Sequence, residues 1–133
     1  MGAWGTGPFE NDDALDLVGE INDSEPDAVA ELLTDILDVP DPDEEMDEVD
    51  GTEAYAVAAL LAAKLERLEV TSPDVLDAVS KIPTEVVGAL LPNARTMLTR
   101  ILGENSEFAE LWIESGRLEK IRGEIGKIQR ALR

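Results

Sequence analysis

Apolar residues recur three and four positions apart along nearly the whole chain, the spacing of helices that bury one face. Ala14, Leu15, Val18 and Ile21 form the first stripe. Asn11 or Asp12 stands where a helix N-cap belongs, and Asp12 and Asp13 fall in the first turn, where the positive end of the helix dipole favours carboxylates. Asn22-Asp23 ends this helix. Ser24 and Asp27 make a capping-box-like pair with Pro26 in the first turn, and the stripe that follows is Val29, Leu32, Leu33, Ile36 and Leu37. That helix must stop before Pro40. A third helix is predicted from Thr52 to Glu69, with Tyr55, Val57, Ala58, Leu61, Leu65 and Leu68 on one face and alanines at 54, 56, 59, 62 and 63 between them. So many small side chains allow close helix approach, which predicts a central position.

Thr71-Ser72-Pro73-Asp74 opens a short helix with Val75, Leu76 and Val79 inward. Pro83 and Pro92 divide the next stretch, so Thr84–Leu91 is predicted as one helix and Pro92 as the first turn of another, which carries Met97, Leu98, Ile101 and Leu102 to a C-cap at Gly103. Ser106 caps a segment bearing Phe108, Leu111 and Trp112. Beyond Gly116, Leu118, Ile121, Ile125, Ile128 and Leu132 give the seam of helix-on-helix packing. Sustained period-two alternation and regular repeats are both absent. The expected fold is all-α, a single domain over residues 1–133, with six to seven helices and an irregular Gly-rich N-terminal segment.

Composition limits the chemistry. The chain has 133 residues, enough for one core. Only 4% are aromatic, so that core is built from Leu, Val, Ile and Ala. There is no Cys and no His. Their absence removes Ser-His and Cys-His catalysis, thiolate and imidazole metal sites, and disulfides. No apolar run approaches the ~20 residues of a spanning helix. The N-terminus lacks the basic and apolar segments of a signal peptide, so a cytoplasmic location with no membrane association is expected.

The net charge of −19 is concentrated in one half. Residues 1–63 hold 19 of the 30 Asp and Glu and no Lys or Arg, whereas residues 64–133 hold 11 of each sign. Residues 117–133 alone carry six basic residues against Glu119 and Glu124. Residues 39–51, with two prolines and seven carboxylates, read as a flexible acidic loop. Tested as a calcium loop from Asp41, this stretch has Met46 where glycine is required and Thr52 where a bidentate Glu is required, so the motif fails. Nucleic acid is disfavoured by the sign of the charge.

The stretch Met1 to Asp16 is the most particular in its residue choices. Gly2, Gly5 and Gly7 surround Trp4, and Pro8-Phe9 leads into Asn11-Asp12-Asp13. A phosphate cradle before a helix is conceivable in outline, but Glu10, Asp12, Asp13 and Asp16 repel anions and no cation is near in sequence. Met1-Gly2 through Thr6 matches the myristoylation pattern, yet one acyl chain holds a membrane only marginally without a basic second signal. The plainer reading is structural: Trp4 and Phe9 plug the end of the bundle, and Asn11, Asp12, Asp13 and Asp16 open the first helix. Residues 2–16, GAWGTGPFENDDALD, together with Ser106 to Ser115, resemble a bacterial family known as domain of unknown function 4259. Leu17 stands where that family often has Trp, and the basic tail beyond Arg117 is less typical of it. The resemblance implies a small, single-domain bacterial or archaeal protein and carries no activity onto these positions.

Three functions are compatible with these residues. The first is a non-catalytic acidic binding protein, of immunity or inhibitor type, that engages a basic protein partner through its N-terminal half. Asp12-Asp16-Glu20 and Asp27-Glu31-Asp35 form charge ladders whose steps are ~6 Å. Glu20, Asp27, Glu31 and Asp35 are the expected partner face, and ladders of this kind steer association. The second is a carboxylate- or metal-dependent enzyme with a site at Asp12, Asp13 and Asp16 beside the Trp4 loop. The third is self-assembly, with the basic tail of one copy on the acidic half of another. No cofactor is expected, and a non-enzymatic role is favoured, because Asp at a helix start more often caps than catalyses.

Overall fold

The computed structural model describes Ala3 and residues 5–133. Those residues form seven helices: α1 (Asp12–Asn22), α2 (Pro26–Ile36), α3 (Glu48–Lys64), α4 (Pro73–Ser80), α5 (Thr84–Ile101), α6 (Glu107–Glu114) and α7 (Leu118–Ala131). The all-α fold read from the spacing is the fold observed, with no strand among the described residues. Met1, Gly2 and Trp4 lie outside the described residues, and the plug expected of Trp4 lies there with them.

The centre of the molecule is α3. From Gly51 to Ala62 every residue except Glu53 is buried, and each of the other six helices packs against this one. A helix covered on all sides needs apolar or small side chains all round, which explains the six alanines in α3 and the two leucines among them. Asp47 accepts the Asp50 N–H (2.8 Å) as its N-cap. The helix therefore begins four residues before the expected Thr52, inside the acidic stretch. It also ends earlier, at Lys64 rather than Glu69. Glu66 turns into the left-handed region (φ 60°) while the Glu66 and Arg67 N–H groups bond back to Ala63 and Ala62, the hydrogen-bond pattern of a Schellman C-cap. Gly116 (φ 74°) ends α6 in the same way, with Arg117 bonding back to Trp112.

Several finer expectations are corrected. Thr84 to Ile101 is one helix with Pro92 in its interior, not two. Proline deprives the Gly88 carbonyl of its helical partner. Both residues are exposed, so water can satisfy that oxygen, while Val87, Leu90, Ala94, Met97 and Leu98 on the other side hold the helix against the core. In α1 the buried stripe is Ala14, Leu17, Val18 and Ile21, and Leu15 faces solvent. Leu76 is likewise exposed, leaving Val75 and Ala78 as the buried residues of α4. Ser24 does not cap α2. Its hydroxyl donates to the Glu20 carbonyl (2.7 Å) at the end of α1, and Glu25 is the N-cap residue. Asn11 and Ser106 do cap their helices, accepting from Ala14 (2.7 Å) and Ala109 (3.2 Å).

At Gly51, α6 comes so close to α3 that a β-carbon would overlap the Phe108 side chain. In contrast, the helical Gly19 has open space around it and is exposed. Gly51→Ala is therefore expected to destabilise by about 1–3 kcal/mol through overpacking. Gly19→Ala is expected to stabilise by about 0.5–1 kcal/mol through helix propensity. Urea unfolding of the two variants should show midpoints displaced in opposite directions.

Candidate functional site

The N-terminal segment is a closed loop. Ala3 and Asn11 face each other in an antiparallel bridge, and Glu10 folds back so that its carboxylate accepts the Gly7 N–H (2.9 Å). That carboxylate occupies the space where side chains at residues 5 and 7 would stand, which gives both glycines a steric reason. The tip of the loop is fixed to the central helix. The Tyr55 hydroxyl donates to the Thr6 carbonyl (2.8 Å), and both residues are buried. Tyr55 stands edge-on to Phe108, and Phe108 edge-on to Trp112. Burial pushes the Tyr55 hydroxyl far above its ordinary pKa, with Glu124 and Glu10 adding repulsion, so it serves as a neutral donor. Phe9 is half-buried and packs on the core.

The space beneath this loop, lined by Asn11, Asp13, Glu48, Thr52 and Tyr55 among others, has a volume of about 20 Å³. That is room for one water and far below a metabolite site. Asp12 and Asp16 are exposed, and Asp13 is half-buried and faces α3. Among the described residues, no three Asp or Glu come close enough together to hold a metal ion.

A larger depression lies on the other side of α3. The C-terminal end of α2, the loop at 38–46, the first turns of α3 and Met97 of α5 enclose a groove of about 270 Å³. Its rim carries Asp35, Asp38, Glu44, Glu45, Asp50 and Glu53, and no Lys or Arg lines it. The half-buried Ile36 and the buried Met46 and Met97 complete the lining.

The expected acidic loop at 39–51 thus serves as a wall. Residues 48–51 belong to α3. Met46 is buried and pairs with the turn at Ser106, donating to the Asn105 carbonyl and accepting from Glu107 N–H (both 2.8 Å). Asn105 donates to the Pro42 carbonyl (2.9 Å). The Arg100 guanidinium reaches the carbonyls of Asp41 and Glu44 on one side and of Glu104 and Asn105 on the other. All four are backbone oxygens.

Of the expected partner face, Asp35 sits on the groove rim, and Glu20 of α1 lies near enough to Glu53 to repel it. Asp27 and Glu31 run away from the groove along exposed α2. Sequence reasoning missed Asp38, Glu44, Glu45, Asp50 and Glu53 as a group. The available signals were a lone Met within seven carboxylates and Glu53, the one charged residue between Gly51 and Ala63.

Among the described residues, no carboxylate of the acidic half forms an ion pair. The ion pairs among the described residues are Arg122–Glu119 (3.1 Å) and Lys127–Glu124 (3.5 Å), both within α7. Arg67 donates to the carbonyls of Ala131 and Arg133, and Arg95 to that of Leu132. These arginines stitch the end of α7 to the bundle through its backbone.

Burial raises the carboxyl pKa of Glu53, with Asp50, Asp13, Glu20 and Asp47 adding repulsion. Glu48 is raised by burial and then by Asp13, Glu107 and Asp47, and Asp50 by burial and Asp47. A raised folded-state pKa means that the folded protein takes up protons more readily than the unfolded chain. The resulting stability is present at low pH and is lost as pH rises through the folded values. The melting temperature is therefore expected to be higher near pH 4.5, the ordinary glutamate value, than near pH 7.5 at low salt. Glu48→Gln/Glu53→Gln should narrow that difference; calorimetry at the two pH values measures it.

Residues 2–124 match the family model described as Domain of unknown function (DUF4259). No curated protein and no solved structure matches the chain.

Proposed function

We propose, for a chain that belongs to the DUF4259 family, that it is a non-catalytic binding protein whose acidic half engages a basic protein, in the manner of an immunity or inhibitor protein. The observation that carries this reading is that, among the described residues, the carboxylates of the acidic half form no ion pair. Nineteen carboxylates lie in residues 1–63, the ion pairs among the described residues are confined to α7, and three arginines that could have served are bonded to backbone carbonyls. Leaving such a face unpaired costs stability through self-repulsion. A cationic partner relieves that repulsion on binding, so complex formation and charge relief favour each other.

One further feature supports the reading: the carboxylates of α1 and α2 stand on helices, so little ordering entropy opposes association.

The test is binding of the basic proteins encoded beside this gene, measured by surface plasmon resonance over a range of salt concentrations. A partner is expected to associate rapidly at low salt and to lose about tenfold or more in association rate as salt screens the face. The variant Glu20→Gln/Asp27→Asn/Glu31→Gln/Asp35→Asn should reproduce most of that loss at low salt, with a smaller change in dissociation. Binding that ignores both salt and these four substitutions would overturn the reading.

A further inference from the structure

We infer that this chain associates with a second copy of itself, the outer face of α7 on one copy lying along the outer face of α2 on the other. Although both would use α2, this contact is independent of the basic partner proposed above and can fail without it.

The fold leaves one charge pairing unmade. Residues 117–133 carry six basic residues against Glu119 and Glu124, and the acidic half of the same molecule is the nearest place to neutralise them. Yet α7 packs on α3, α5 and α6, with Ile121, Ile125 and Ile128 turned inward. Its ion pairs are with its own Glu119 and Glu124, and among the described residues none of its cations pairs with a carboxylate of residues 1–63. One molecule therefore displays two oppositely charged helix faces that do not meet each other.

The two faces match in form. At 3.6 residues per turn, Lys120, Lys127 and Arg130 fall on the side of α7 opposite its isoleucines, and all three are exposed. Gly123 lies between them with open space where a side chain would stand, so a second helix can lie close along this line. On α2, Asp27, Glu31 and Asp35 fall opposite the buried Val29 and Leu33 and are likewise exposed. Lys120 to Arg130 covers ~15 Å of helix axis, and Asp27 to Asp35 covers ~12 Å. Three cations thus meet three carboxylates along one helix-to-helix line. Each copy carries both faces, so a twofold pair makes the contact twice.

Net charge opposes association and sets its salt dependence, because each copy carries −19. At ~0.15 M salt the screening length is ~8 Å, so the facing helices count and distant carboxylates do not. At ~0.01 M it is ~30 Å and the whole charge is felt, whereas at ~1 M it is ~3 Å and the contact itself is weakened. Association is strongest between those limits.

Sedimentation equilibrium of the full chain at ~0.1 mM, a concentration suited to a small charged interface, is the test. The weight-average mass is expected to rise well above the 14.4 kDa of one chain at ~0.15 M salt and to return to it at ~1 M. Lys120→Glu/Lys127→Glu and Glu31→Lys/Asp35→Lys should each weaken association about tenfold or more. The second variant has the smaller net charge, so general repulsion would make it associate more, not less. Mixed in equal amounts, the two variants should associate as the unaltered chain does, because reversed α7 then faces reversed α2. All four positions are exposed, and circular dichroism checks that both variants fold. A monomer at ~0.15 M salt, a mass that neither variant changes, or a mixture that stays monomeric would overturn the contact. None of these results touches the basic partner, whose test uses a different protein.

Discussion

A helix that touches all six others must be thin, and this requirement governs the rest of the molecule. The run of alanines in α3 lets its neighbours approach closely, and Gly51 lets α6 approach closest of all. The cost is that α3 has little side-chain volume with which to hold its partners. Large side chains from the periphery make up that volume: Phe108 and Trp112 from α6, Leu17 and Ile21 from α1, Met97, Leu98 and Ile101 from α5, and three isoleucines from α7. The one large aromatic on α3 itself, Tyr55, is used twice, as a packing surface for Phe108 and as a hydrogen-bond donor to the N-terminal loop. An unsatisfied hydroxyl there would cost about 1–3 kcal/mol, so Thr6 and Tyr55 are bound to each other's placement.

The same central helix accounts for the electrostatics. Its first turns emerge from the core into a region already rich in carboxylates, and Glu53 remains half-buried between α1 and the groove. Pairing these groups with arginine would have been the ordinary solution. Instead, Arg67, Arg95 and Arg100 are bonded to main-chain oxygens at chain ends and loops. The fold therefore uses these three cations to hold the backbone and leaves the carboxylates of its acidic half to face outward.

Much of this was legible in the sequence, and the errors have physical causes. Six to seven helices, the seam of α7, a cap at Asn11 or Asp12, the cap at Ser106 and the central place of the alanine-rich segment all followed from spacing and side-chain size. Pro92 misled because a proline's effect depends on whether water can reach the orphaned carbonyl, and only the fold shows that Gly88 is exposed. Leu15 and Leu76 misled because a helix has more apolar positions than its neighbours cover. The acidic stretch at 39–51 looked like a solvated linker because its charges are conspicuous, while the contacts that fix it are made by carbonyls, which every residue possesses. The groove was invisible for a related reason. Its carboxylates run from Asp35 to Glu53 across a helix end, a loop and a helix start, and only the fold turns these toward one another and brings in Met97, some fifty residues from Met46.

The Arg100 staple has one further consequence. It grips the loop by atoms that are the same in every amino acid, so this hold on the wall of the groove does not depend on which side chains Asp41 and Glu44 carry. Asp41 and Glu44 could be exchanged for other residues, in any charge state, without loosening the hold on the turn at 104–105. Scaffold and surface are thereby written in separate parts of the chain. A lineage built on this plan is free to retune what the loop displays, residue by residue, while inheriting the framework that displays it unchanged.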